Sequence, residues 1–371
     1  MKISCNREKL QAAFQLASAV APSRSPKPIL QNVKLDVTPA ATMLLATDLE
    51  VSVRAEATGV DVEAPGAAVL PVGRFGQILR ESSDEVLHIE SNAQGTVVRG
   101  DRSEFKLPGE NPDDFPTVAQ FNETSYHEIS ARLLRELIRR TVFATDNESS
   151  RYALGGVLLE FADAKITAVG TDGRRLARME GPGRSVGGHA SGENMIIVPA
   201  RAMTQIERVL ADGDAEVQIA ARGNEILVKT PRATVYSRLL EGRFPRWRDV
   251  FPSREGGAKL DLVVGPFYAA VRQAAIVTSE ESRDVDFTFV DGKTILAGKA
   301  AELGTSHVEL PIAYDGPEIV IALDPRYVMD FLKVLDAEKT FTFELKDSDS
   351  AAVCNTDDGY GYVIMPLARD R

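Results

Sequence analysis

The sequence predicts an α+β protein built from three copies of one unit, each with two helices packed on antiparallel strands. Three observations predict it. A strand-like run that passes through proline into an amphipathic helix occurs at Ala68-Val69-Leu70-Pro71, at Ile196-Ile197-Val198-Pro199, and at Ile319 to Pro325 as Ile-Val-Ile-Ala-Leu-Asp-Pro. Each of these helices is followed by three short alternating stretches with turn residues between them, the pattern of antiparallel hairpins. The pair Thr47-Asp48, placed after an apolar run, returns as Thr171-Asp172 at a separation of 124, close to the spacings of 128 and 126 between the three prolines. Self-similarity at one fixed period marks a repeat architecture.

In the first copy a helix over residues 7–20 buries Leu10, Ala13, Phe14 and Ala17 and turns Gln11, Gln15 and Ser18 outward. After Pro71 a second helix leads to strands at 86–89, 96–98 and 105–107. The second copy opens with a helix over 130–143, where Leu134, Leu137, Ile138 and Thr141 share one face and Arg132, Arg135 and Arg139 lie opposite at i, i+3 and i+7. Its second helix, after Pro199, is expected to bury Met203, Ile206, Val209 and Leu210 and to present Arg201, Gln205 and Arg208. Strands follow at 217–219, 226–228 and 235–239. The third copy repeats the order, with helices at 266–277 and after Pro325 and strands at 341–343, 352–354 and 362–365. The helix after Pro325 carries Val328, Phe331, Leu332 and Leu335 on one side and Arg326, Asp330 and Lys333 on the other. Joints rich in proline and charge at 111–116 and 251–257 interrupt the periodicity, so the domains are expected at 1–121, 122–253 and 254–371.

Composition bounds the class. With 44% hydrophobic and 26% charged residues, the chain of 371 residues is an ordinary globular one. Charged residues follow Met1 too closely for a signal peptide, and no stretch is long and apolar enough to span a bilayer. Cys5 and Cys354 share no CxxC spacing and fit buried thiols in a reducing cytoplasm. The formal charge is −11, yet the predicted helices carry a basic excess. That division suits a surface that slides along a polyanion without clamping it, and equally suits ordinary solvated helices.

Motifs for catalysis are weak. Gly183-Arg184-Ser185-Val186-Gly187 matches the GxSxG pattern, with His189 just beyond, but it lies in a glycine-rich run from 181 to 192 rather than on a strand-to-helix turn. Gly292-Lys293-Thr294 lacks the glycine five residues earlier that a phosphate loop needs, since Phe287 stands there. His88, His127, His189 and His307 show no ligand spacing, and Asp48 and Asp172 occupy equivalent repeat positions that suit turns. Neither a metal nor a cofactor is expected.

The chain resembles the beta subunit of bacterial DNA polymerase III, the sliding-clamp family. The resemblance rests on Pro28-Ile29-Leu30-Gln31-Asn32, Thr47-Asp48-Leu49-Glu50, the run from Ala168 to Ala177, Ile197-Val198-Pro199, Glu241-Gly242-Arg243-Phe244-Pro245, and Tyr362-Val363-Ile364-Met365-Pro366-Leu367. Taken in this order over a threefold repeat, these fragments are specific. The resemblance implies the DNA clamp fold and a head-to-tail homodimer closed into a ring, with about twelve helices lining the hole. It implies a non-catalytic, cytoplasmic, nucleoid-associated processivity factor that encircles double-stranded DNA without sequence preference. Its partners would be the replicative polymerase, the clamp loader, other polymerases and mismatch-repair proteins.

Residue by residue, the resemblance implies a pocket for short hydrophobic peptides at Leu154, Thr171, Gly173, Arg174, Arg175, Leu176, Pro245, Val250, Val363, Ile364, Met365, Pro366 and Leu367. Arg175 is expected at its rim, free to fix a carboxylate or carbonyl of the peptide. DNA contacts are implied at Arg24, Arg151 and Tyr152, with Arg132, Arg135, Arg139 and Arg201 on the helices. The ring joint is expected at Ile276 and Val277, with Arg74 and Arg102 facing acids such as Glu302. Asp249, Arg246 and Trp247 depart from the family pattern beside Pro245, and the charged segment 368–371 follows the pocket. Two other readings stay open: a clamp paralogue with altered partners, acting as a decoy or a drug-resistant copy, and an enzyme built on Ser185.

Overall fold

The computed structural model describes residues 1–146, 148, 153–192, 195–211, 213–251, 257–279 and 283–367. Arg151, Tyr152, the segment 368–371 and most of the joint expected at 251–257 lie outside them. Among the described residues six α-helices occur: α1 (Arg7–Ser18), α2 (Val72–Glu81), α3 (Ala131–Arg139), α4 (Ala200–Val209), α5 (Val264–Ala274) and α6 (Pro325–Lys333). By residue count every one of them is net positive in a chain of charge −11.

Local chemistry sets their starts. Asn6 caps α1 by accepting from Lys9 N at 3.1 Å, Ser130 Oγ accepts from Leu133 N at 3.2 Å at the head of α3, and Asp324 accepts from Arg326 N at 2.9 Å ahead of α6. Proline fills the first position of α6, where its missing N–H costs nothing. Helices α2 and α4 follow Pro71 and Pro199 directly, as the strand-proline-helix pattern predicts. Three predicted helices end sooner than expected: α1 stops at Ser18, and α3 and α5 stop at Arg139 and Ala274. The chain tightens into 3-10 turns at Val142–Ala144 and Ala275–Val277, and Thr141 Oγ1 bonds back to Leu137 O at 2.5 Å. Gln205 is a further correction: it is buried on α4 and donates to Ala19 O at 3.4 Å instead of facing outward.

The chain divides into two compact units, residues Met1–Arg135 with Gly183–Leu239 and residues Glu136–Pro182 with Leu240–Arg371. The first holds two sheets. One runs Val60–Ala64, Lys2–Asn6, Val86–Asn92, Gly95–Arg99, Glu104–Leu107. The other runs Arg184–Val186, Tyr126–Ser130, Glu216–Arg222, Glu225–Lys229, Ala233–Arg238, Val51–Glu56, Thr42–Thr47, Asn32–Val37, Gly66–Pro71. Strands of the first and second repeat copies thus join in one ladder, where Val235 pairs with Val53. Against these sheets α1 and α2 bury Leu10, Phe14, Phe75 and Leu79, with Phe14 edge-on to Phe75 at 5.1 Å between centroids.

The second unit repeats the device. Its larger sheet includes Gly156–Ala162, Lys165–Thr171, Arg175–Pro182, Tyr360–Ile364, Ala352–Asn355, Thr340–Leu345 and Ala258–Val263 in that order, and Ala177 pairs with Tyr362 across the second and third copies. The smaller sheet runs Gly304–Pro311, Lys293–Ala300, Val285–Val290, Ile319–Leu323. Between them α5 and α6 bury an aromatic cluster in which Phe331 stacks on Tyr362 at 5.2 Å and meets Phe341 edge-on at 5.3 Å. Fully buried rings of this kind each cost about 3–5 kcal/mol when cut back to alanine. Both cysteines are free and buried, and burial pushes the Cys5 thiol up to about 12. No helix of the described residues is long and apolar enough to cross a membrane.

Candidate functional site

All the expected pocket residues belong to the second unit, and those of 171–176 and 363–365 meet at one tight turn. Strand Lys165–Thr171 ends in Asp172-Gly173-Arg174 and returns as Arg175–Pro182. Asp172 Oδ1 accepts from the N–H groups of Arg174 and Arg175 at 2.9 and 3.0 Å, while Thr171 Oγ1 donates to Arg175 O at 2.6 Å and accepts from Gly173 N at 3.1 Å. Gly173 sits at φ 87°, which a residue without Cβ adopts freely. Asp48 builds the matching turn in the first copy, accepting from Glu50 N and Val51 N at 3.0 and 2.7 Å. Both aspartates support turns.

Strand Tyr360–Ile364 lies alongside, with Leu176 opposite Val363 and Arg175 opposite Ile364. As the chain leaves that strand, Met365 N donates to Arg174 O at 2.9 Å and Leu367 N to Ala322 O at 2.9 Å, which fixes both segments flanking the turn. Met365 is 44% exposed, whereas Thr171, Leu176, Val363 and Ile364 are buried beneath. Pro245 and Val250 bracket a 3-10 turn, Trp247–Asp249, with Val250 38% exposed and Trp247 donating to Glu160 Oε1 at 3.2 Å. Leu154 is buried, its carbonyl accepting from Asp146 N at 2.9 Å, and its neighbour Ala153 donates to Arg243 O at 3.3 Å. Pro366 and Leu367 are half-buried; Gly173 and Arg174 are exposed.

Arg175 departs from the expectation. Its side chain is 10% exposed and its donors turn inward: Nε to Asp172 Oδ2 at 3.0 Å, Nη1 to Asp330 Oδ2 at 2.7 Å, and Nη2 to Phe143 O at 2.8 Å. It also covers the Tyr327 ring at 4.5 Å. Burial pulls its pKa down, but Tyr362, Asp330 and Asp172 outweigh that and hold it above the ordinary value. It is a brace inside the turn, and Arg174 is the exposed arginine beside it. Asp330, Tyr327 and Phe143, which hold the brace, were not visible in the sequence because they come from α6 and a 3-10 turn far along the chain. Only the helical face carrying Asp330 hinted at one of them.

The remaining expected residues are mostly at the surface. Arg24, Arg132 and Arg139 are exposed, and Arg132 pairs with Asp214 at 3.1 Å. Arg201 pairs with Asp48 at 2.5 Å. Arg135 is half-buried and donates to Leu210 O and Ala211 O at 3.3 and 3.1 Å, so it closes the C-terminal end of α4. Arg74, Arg102 and Glu302 are exposed, Ile276 is 76% exposed, and Val277 is partly covered.

Ser185 lies in strand Arg184–Val186, paired with Tyr126 to Glu128, and its hydroxyl donates to the main-chain oxygen of His189 at 2.8 Å. The imidazole of His189 instead meets His127, Nδ1 to Nδ1 at 2.8 Å, with both rings buried. Ala221 N donates to His189 Nε2 at 3.0 Å, so the neutral His189 carries its proton on Nδ1 and donates it to His127. No group of three or more candidate metal ligands occurs among the described residues.

Three models of one family match in succession: the DNA polymerase III beta subunit N-terminal domain at residues 1–119, its central domain at 128–246 and its C-terminal domain at 248–368. The beta sliding clamp of Pseudomonas aeruginosa is 31% identical over 373 residues, spanning 99% of this chain and 100% of that protein. The chain belongs to the DNA polymerase III beta subunit family. The beta sliding clamp of Chlamydia pneumoniae is likewise 31% identical over 369 residues, spanning 99% of each. Among solved family members, a Pseudomonas aeruginosa sliding clamp bound to griselimycin superposes with a TM-score of 0.92 at 29% identity over 100% of each chain. The sliding clamp of Bacillus subtilis, 23% identical, shares the fold with a TM-score of 0.91 over 100% of each chain.

Proposed function

We propose that two copies of this chain close head to tail around duplex DNA and tether a polymerase to it, with no catalysis of their own. The observation that carries the ring is a pattern of strand joins. The last strand of the second copy, Ala233–Arg238, pairs with Val51–Glu56 of the first, and the last strand of the third, Tyr360–Ile364, pairs with Arg175–Pro182 of the second. The first copy's last strand, Glu104–Leu107, stands at a sheet edge, and so does Gly304–Pro311, which corresponds in the third copy to the receiving strands. Edge strands present unpaired backbone groups that a second chain can complete. A join between these two edges of neighbouring copies would repeat the internal one, and two copies joined in this way at both ends make the proposed ring. Arg102, Phe105, Glu302 and Leu303 sit at or beside these edges, and Ile276 gives the joint an exposed apolar residue.

The net-positive helices, with Arg24, Arg132 and Arg139 exposed, suit a hole through which DNA slides, because a mild excess attracts phosphate without many tight clamps. Arg151 and Tyr152 join them in this reading from the resemblance alone. The turn at Thr171 to Arg175, which Met365 joins by a main-chain hydrogen bond, serves together with Leu367, Pro245 and Val250 as the cleft for apolar peptides of polymerases, the loader and repair proteins. Methionine and branched aliphatic walls adapt to related peptides.

Loading onto nicked circular DNA tests the ring: the protein stays bound to the circle and runs off once the circle is cut to a linear form. Equal retention on both forms defeats encirclement. Support of processive synthesis with the polymerase and loader of the same cell separates the housekeeping clamp from a paralogue with altered partners.

A further inference from the structure

Beside the cleft lies a cavity of about 370 Å³ whose walls include Arg178, Trp247, Phe251 and Lys165. Strand register makes it a continuation of the cleft. Thr171 pairs with Leu176, Val169 with Arg178 and Thr167 with Glu180, so residues two apart on each strand stand on one face of the same ladder. Thr171 and Leu176 form the cleft end of that face, and Arg178, Thr167 and Glu180 follow in succession. Trp247 opens the 3-10 turn that Pro245 and Val250 bracket, so one short segment borders both sites.

The cavity is built around an arginine. Arg178 stacks on Phe251 at 4.9 Å, and Phe251 meets Trp247 edge-on at 6.1 Å. The residue paired with Arg178 is Gly361, where a Cβ would come within 2.9 Å of the Phe251 ring and 3.2 Å of Arg178 Nη2. Of the three cations along the walls, Lys165 is paired with Glu180 at 3.2 Å and Arg248 with Glu160 at 2.6 Å. Arg178 has no carboxylate partner among the described residues, and its Nε is buried without a hydrogen bond. A half-buried guanidinium with an unbonded Nε, standing beside aromatic walls, favours one kind of guest, a carboxylate able to accept from its donors.

We propose that this cavity receives an aspartate or glutamate side chain of the same partner segment whose apolar residues enter the cleft. The proposal rests on the peptide-cleft reading and adds a specificity: segments with an acidic residue flanking the apolar core are preferred. Trp247, the chain's single tryptophan, lines the cavity and reports its occupancy.

Fluorescence polarisation with labelled synthetic peptides tests it. The probes share a Leu-Phe core and carry glutamate or glutamine two residues before or two residues after it. At one of these positions glutamate is expected to bind roughly tenfold tighter than glutamine, the effect of one charged hydrogen bond. It should also shift Trp247 emission. In Arg178→Met the preference disappears while the glutamine peptide binds as before, and Arg178→Lys, which keeps the charge, retains part of it. Should Arg178→Met melt at a lower temperature, the lysine variant carries the comparison. Equal affinity of glutamate and glutamine at both positions, or a preference that survives in both Arg178 variants, overturns the proposal and leaves the cleft standing. If no probe binds and Met365→Ala changes nothing, the cleft reading falls and takes this one with it.

Discussion

Leu49 and Gly173 hold the same place in two copies of one turn, at φ 80° and φ 87°. Around each, a threonine hydroxyl and an aspartate carboxylate make the same four hydrogen bonds. The turn therefore imposes the left-handed backbone, and the side chain conforms. Leucine conforms at a cost of about 1–2 kcal/mol, partly offset by the greater freedom glycine has when unfolded. Leu49→Gly should stabilise the protein by about 1 kcal/mol in urea unfolding, since Leu49 is 44% exposed and leaves little packing behind. Gly173→Ala should cost a similar amount, because nothing lies within 4 Å of a Cβ there and only the backbone resists. A loss of stability in Leu49→Gly would falsify the strain argument.

Asp330→Asn tests the brace. The substitution leaves the Arg175 guanidinium, 10% exposed, with Asp172 as its one remaining carboxylate partner. Breaking a largely buried ion pair in this way costs about 3 kcal/mol. A lower melting temperature together with weaker peptide binding is expected; an unchanged melting temperature removes Arg175 from the scaffold.

Ile276 is 76% exposed, so Ile276→Asp leaves the folded subunit almost untouched. In the ring it would place a charge in an apolar joint. Native mass spectrometry should then record monomer where the parent chain gives dimer, with an unaltered circular dichroism spectrum. A dimer that persists at micromolar concentration excludes Ile276 from the joint.

For the cleft, Met365→Ala combined with Leu367→Ala removes one exposed and one half-buried apolar side chain. Titration with an apolar peptide is expected to show at least roughly tenfold weaker binding, as loss of anchoring side chains gives, with a stability change within about 1 kcal/mol. Unchanged affinity moves the binding site elsewhere.

The His127–His189 contact predicts an acid-sensitive stability. Burial, and then the neighbouring His127, hold His189 below the ordinary histidine value of 6.5. Below that value the unfolded chain takes up a proton that the folded chain refuses, so stability is complete above pH 6.5 and declines as the pH falls toward the depressed native pKa. Urea midpoints at pH 7.5 and 5.5 measure the decline, and His189→Gln should flatten it. An equal slope in that variant assigns the acid sensitivity to other groups.

Local signals in the sequence carried far. Three prolines announced three helices, and alternation located the hairpins that follow them, because both are dictated by neighbours along the chain. Long-range partnership was harder to see. Gln205 reads as a solvent residue by spacing, yet it meets Ala19 O from an element 186 positions away. Arg175 reads as a rim cation, yet Asp330 and Phe143 claim it. His127 and His189 are 62 residues apart and become neighbours only when strand Arg184–Val186 pairs with Tyr126–Ser130. Around the turn at 171–175, the strand residues were legible from their motifs, while Asp330 and Tyr327, which brace it, came from a helix whose faces looked ordinary.

Where copies meet, at Val53 with Val235 and at Ala177 with Tyr362, the bond is main chain to main chain. Amide and carbonyl groups are the same in every residue, so such joins tolerate drift in side-chain identity. Each module could diverge, one turn keeping a leucine while its counterpart took glycine, without loosening its hold on the next.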